Sequence, residues 1–145
     1  MRSAIDTTAD RFRSMLHAAL GPVILAALDD PRVVEVMVNA DGRVWTDRVG
    51  EGRAHVGAID PNRAESVIRL VADRMGEEVG RHRPVLSGTL PETGERFQGQ
   101  LPPVTRAPVF AIRKRAEVVF TLDDYMRQGV MTETQAQSLR AAVEH

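Results

Sequence analysis

The sequence predicts an α+β fold, an antiparallel sheet with flanking helices. Three observations carry this reading. Apolar residues recur at helical spacing in the first thirty positions. Residues 33–59 and 94–115 form short alternating runs broken by Gly, Pro and Asp. One capped amphipathic stretch, residues 60–76, lies between those runs. Helices, then strands with one helix inserted, then helices again is an α+β order and not a repeated βαβ unit.

From Asp10 to Leu28, Phe12, Met15, Leu16, Ala19 and Leu20 share one helix face. Gly21-Pro22 interrupts it, because Gly ends a helix and Pro suits the first turn of the next. Val33 to Asn39 is a β-branched strand. Asp41-Gly42 signals a hairpin, and Arg43 to Arg48 returns. Gly50 and Gly52 mark a turn into a third strand, Arg53 to Ile59, completing a meander. Asp60 caps a helix with Pro61 at its first position. Ala64, Val67, Ile68, Val71, Ala72 and Met75 line its apolar face, and Gly76 ends it.

Residues 80–84 read as a polar loop, and Val85 to Leu90 as a strand or an extended connection. Gly94 to Leu101 alternates, with Phe97, Gly99 and Leu101 on one face and Arg96, Gln98 and Gln100 on the other. Pro102-Pro103 stops it. Val109 to Arg115 alternates again, with Phe110 and Ile112 opposite Arg113 and Arg115. Thr121 caps a short helix, Leu122 to Gln128, closed by Gly129. Thr132 with Gln135 resembles a capping box opening a last helix. The expected organisation is one domain over residues 1–145: a helical lead-in (1–30), a sheet domain (31–115) and exit helices (116–145).

The chain has 145 residues, 43% hydrophobic, and no cysteine. That length is close to one domain and supports a core without staples. Disulfides and cysteine-ligated metals are excluded. Aromatics are only 4% and the formal net charge is −1, which disfavours a direct nucleic-acid partner. Of 19 basic residues only Lys114 is lysine. Arginine meets phosphate and carboxylate with a planar fork, although a GC-rich genome produces the same bias.

No G-x-x-x-x-G-K-[ST] occurs, so the phosphate cradle of a P-loop enzyme is absent from these residues. His17, His55, His82 and His145 have no ligand partner at i+4, so no metal site is expected. Asp123-Asp124 sits in a first helical turn, where carboxylates stabilise the dipole. Ser87 lacks the flanks of a nucleophile elbow. No catalytic residue is assigned. What remains is Arg96 and Arg113, each on the polar face of its strand. If those strands pair antiparallel, both guanidinium groups face one side and suit a polyphosphate. A solvated sheet face explains the same alternation.

The motif Ser87-Gly88-Thr89-Leu90-Pro91, Gly94-Glu95-Arg96-Phe97-Gln98-Gly99, Leu101-Pro102-Pro103 and Pro108-Val109-Phe110-Ala111-Ile112-Arg113-Lys114 is specific. It resembles the N-terminal domain of the type IV secretion and conjugal-transfer ATPases, closest to the TrbB-type members. Glu35 to Asn39 with Asp41 to Trp45, and Thr121 to Tyr125 with Gly129 and Thr132, resemble the same family.

The resemblance implies a PAS-like sheet, a hexameric ring and nucleotide held between N- and C-terminal domains. It also implies a P-loop domain beyond a C-terminal helical exit, making this chain a domain of a longer ATPase that powers DNA or protein transfer. Family arginines that reach the nucleotide phosphates match Arg96 and Arg113. Arg115 and Asn39 are weaker matches, and Asn39 either contacts the nucleoside or makes the turn. ATP and Mg²⁺ are implied for the parent, with neither held by this domain alone. The implied partners are identical subunits and secretion components at the inner membrane, with the protein cytoplasmic and peripheral to that membrane. The alternative is a stand-alone PAS-like sensor or interaction module, which needs a closed ligand pocket.

Overall fold

Gly21, at φ 79° and ψ 173°, kinks the N-terminal helix α1 (Ala4–Asp29) just before Pro22, where the sequence predicts a break. The computed structural model describes residues 4–115, together with 132, 134, 135 and 138. It divides into two compact units, Met1–Arg115 and Ala116–His145. The helix starts at Ala4, earlier than the apolar stripe, because residues 4–9 carry no periodic apolar signal.

Six strands and one further helix follow: β1 (Val33–Val38), β2 (Arg43–Arg48), β3 (Gly52–Ala58), α2 (Pro61–Met75), β4 (Val85–Thr89), β5 (Arg96–Gln100) and β6 (Val109–Arg113). The segment left open between strand and extended connection is therefore strand β4. The β1–β2 turn is not the two-residue type that Asp41-Gly42 favours. Gly42 N–H donates to Asn39 O at 2.9 Å, and Gly42 alone takes positive φ, 82°. That is a three-residue connection ending in a left-handed glycine.

The strands form one antiparallel sheet in the order β3-β2-β1-β6-β5-β4. Two three-stranded meanders thus join where β1 meets β6. One face is apolar. Val36, Val38, Val44, Leu86, Phe97, Phe110 and Ile112 are buried there, in one core with Leu20 and Ile24 of α1 and Val67, Ile68 and Val71 of α2. Antiparallel sheets commonly pack one face and leave the other to solvent. Here the second face carries Glu35, Met37, Arg96, Gln98, Ala111 and Arg113, none of them buried.

A stretch of α1, Thr8–Asp29, is long and apolar enough by length and composition to cross a bilayer. Its Leu16, Leu20, Ile24 and Ala27 are buried in the core, which gives its apolar stripe a role without a membrane.

Asp60 caps α2: its side chain accepts the Asn62 N–H at 2.8 Å, and Gly76 closes the helix in the left-handed region at φ 71°. Asp60→Ala is expected to destabilise the fold by about 1 kcal/mol, read as a lower urea midpoint at unchanged slope. An unchanged midpoint would show that the cap contributes nothing.

In the second unit, Gln135 N–H donates to Thr132 Oγ1 at 3.2 Å and Thr132 N–H to Gln135 Oε1 at 2.9 Å. These are the two reciprocal bonds of a capping box. The expected helix at Leu122 to Gln128 lies outside the described residues; of the last helix, residues 134, 135 and 138 are described and helical.

Candidate phosphate-binding site

Strand register brings the two arginines together. β5 and β6 pair antiparallel with Arg96 directly opposite Arg113. Period-two alternation fixes their side. Phe97 and Ile112, the adjacent pair, are buried in the core, so Arg96 and Arg113 must point to the other face. Both are exposed. Among the described residues neither has a hydrogen-bond or ion-pair partner. Like charges placed directly opposite on a sheet are destabilising. An anion seated between the guanidinium groups reverses that term.

The pair lines a small open cleft of about 240 Å³ with Glu35, Ser87, Gln98 and Ala111. Glu35 is opposite Arg113 across the β1–β6 ladder, and Ser87 is opposite Gln98 on β4 and β5. Ser87 and Gln98 supply neutral donors beside the two cations. Sequence reasoning missed Glu35 as a neighbour of this site. Alternation in β1 puts Glu35 on the outer face, but no local signal reveals that β1 pairs with β6.

A second cleft of about 520 Å³ lies on the same face and shares Gln98 and Ala111 with the first. Met37, Asn39, Gln100, Arg106 and Val109 also line it. Its lining mixes apolar Met37 and Val109 with the amides of Asn39, Gln98 and Gln100, the Arg106 guanidinium and the Asp41 carboxylate. Asn39 therefore does two things. Its backbone closes the β1–β2 turn, and the residue also borders this cleft. Arg106, from the Pro-rich turn, borders the same cleft, although its sequence position gives it no link to Asn39.

Arg115 lies beyond the strand. β6 ends at Arg113, and the Arg115 Cδ lies 2.8 Å from where a Cβ on Gly94 would stand. It lines neither cleft. Among the described residues no group of three or more His, Asp or Glu is placed to hold a metal ion.

The chain has relatives among known proteins and solved structures. A probable conjugal transfer protein TrbB of Sinorhizobium fredii (strain NBRC 101917 / NGR234) is 47% identical over 129 residues, covering 89% of this chain and 40% of that protein. The conjugal transfer protein TrbB of Rhizobium radiobacter is 46% identical over the same length. The type IV secretion system protein VirB11 of Brucella suis biovar 1 (strain 1330) is 35% identical over 105 residues, 70% of this chain and 29% of that protein. The crystal structure of the VirB11 ATPase from the Brucella suis type IV secretion system, in complex with sulphate, superposes with a TM-score of 0.73 at 29% identity. It covers 89% of this chain and 39% of that one.

The chain is homologous to the N-terminal part of the TrbB- and VirB11-type secretion proteins.

It spans about two fifths of the length of the TrbB relatives it matches. No protein-family model matches it. The α+β architecture of residues 4–115, a six-stranded antiparallel sheet with the helices α1 and α2, is that of the VirB11 N-terminal part.

Proposed function

We propose that this chain is the nucleotide-contacting and oligomer-forming N-terminal domain of a type IV secretion ATPase that powers conjugal DNA or protein transfer. The observation that carries the reading is the Arg96–Arg113 cross-strand pair, exposed on the solvent face and without a side-chain partner among the described residues. Two forked cations fit a polyphosphate. The adjoining 520 Å³ cleft suits the nucleoside, with apolar lining at Met37 and Val109 and hydrogen-bonding groups at Asn39, Gln98 and Gln100. Arg115 is left out of the site because its side chain lies over Gly94.

The remaining parts of the reading rest on the relatives. The VirB11 neighbour is an ATPase of a type IV secretion system, and the TrbB relatives are conjugal transfer proteins. ATP and Mg²⁺ use, assembly into a hexameric ring, a PAS-like sheet, a C-terminal helical exit and a cytoplasmic place at the inner membrane come with that reading. So does the single-domain organisation of residues 1–145, with helices leading out beyond Arg115. Mg²⁺ and the β- and γ-phosphates are handled by a P-loop in such enzymes, and no P-loop motif occurs in these 145 residues.

The chain alone is therefore expected to bind ATP only in the millimolar range and to show no turnover above background. Two open arginines contribute little against the cost of association. Isothermal titration of the purified chain with ATP tests this, beside Arg96→Ala and Arg113→Ala, which should abolish the residual binding. Micromolar affinity that survives both substitutions would favour a self-contained sensor module instead.

A further inference from the structure

We infer that Glu35 is the built-in counter-charge of the arginine pair, a residue whose carboxylate, placed across the ladder from Arg113, sets the affinity of the cleft for anions. The inference rests on the phosphate-binding reading of Arg96 and Arg113.

Three charged residues lie in one continuous row across three strands. Glu35 pairs with Arg113, and Arg113 pairs with Arg96. All three line the same 240 Å³ cleft. Among the described residues none of the three has an ion-pair or hydrogen-bond partner. The row continues past Glu35 to Asp47 and Arg53 on β2 and β3, so its order of signs is plus, minus, minus, plus, plus. Like charges therefore meet twice, at Asp47–Glu35 and at Arg113–Arg96, and the one attractive step inside the cleft is Glu35–Arg113. Cross-strand neighbours of opposite sign attract and those of like sign repel.

A carboxylate beside Arg113 acts in two ways. It offsets the repulsion between the two guanidinium groups in the anion-free protein. It also repels an entering phosphate, and so it weakens anion binding. Ser87 and Gln98, the other polar side chains named there, are neutral and do neither.

The test is an amide-resolved NMR titration of the 145-residue chain with tripolyphosphate, a probe carrying phosphate charge and no nucleoside. Glu35→Gln keeps shape and removes charge. It should tighten tripolyphosphate binding about two- to fivefold, the range of an exposed charge pair, and the gain should shrink as salt rises. Glu35→Asp should behave like the parent chain. Adding Glu35→Gln to Arg113→Ala should give a smaller gain than in the parent background, because the carboxylate acts through Arg113. If Arg113→Ala weakens binding while Glu35→Gln leaves it unchanged, the counter-ion role is overturned and the phosphate site stands. If neither Arg96→Ala nor Arg113→Ala changes binding, the phosphate reading itself falls, and the inference with it.

Discussion

Replacing Arg96 or Arg113 by alanine in the full-length ATPase should cut steady-state ATP hydrolysis by roughly 10²-fold, the scale of losing one preorganised charge-stabilising donor. The fold should be unaffected. Both side chains leave the core by alternation, both are exposed and neither has a partner among the described residues. Exposed substitutions of this kind usually change stability within about 0.5 kcal/mol. The best arginine fingers are worth roughly 10³ to 10⁵ in rate. The smaller figure is expected here because the P-loop and Mg²⁺ of the catalytic domain would remain. Arg→Lys should recover little, since a point charge does not replace a bidentate fork. Arg83, exposed in the loop before β4, is the control and should keep full activity. Arg106 is not a neutral control, because it borders the same cleft as Asn39. Variants that melt several degrees lower but keep full activity would make Arg96 and Arg113 structural residues.

The largest stability effect is expected on the opposite face of the same strand. Phe97 is 2% exposed and stacks on Phe110 with ring centroids 5.7 Å apart. Two residues on, a Cβ at Gly99 would stand 2.9 Å from Ile68 Cγ1 and 3.1 Å from Phe97 Cε1, so α2 rests directly on β5. Phe97→Ala removes the ring from a site with little room to collapse and should cost about 3–5 kcal/mol. Against a usual total of about 5–15 kcal/mol, that is enough to leave part of the population unfolded. Urea unfolding followed by far-UV circular dichroism measures it. A loss below about 1 kcal/mol would mean that β5 does not pack against α2 as described. The contrast with Arg96, one residue away, separates the two faces of β5 in a single experiment.

Alternation made much of this legible in the sequence. Phe97, Phe110 and Ile112 announced the core face, and that assignment forced Arg96 and Arg113 onto the other. Asp60 and Gly76 marked the ends of α2 through capping chemistry that is local and needs no partner elsewhere. The long-range pairing was not legible. Nothing in Val33–Val38 or Val109–Arg113 says that these strands meet, because β-pairing between distant segments is decided by the packing of the whole sheet. Glu35 entered the arginine row, and Asn39 met Arg106, only through that junction. Arg115 stands beyond the end of β6, beside Gly94, where strand alternation no longer fixes its face.

The central claim is that nucleotide phosphates meet the sheet at Arg96 and Arg113. Mapping amide shifts of the isotopically labelled chain during titration with ATP tests it most directly. The predicted result is a cluster of perturbations on β5 and β6, strongest around Arg96, Gln98 and Arg113, that is lost in Arg96→Ala. The contradicting result is silence on those strands with perturbations centred instead on the loop after α2, where Arg69, Arg81 and Arg83 line a separate cleft.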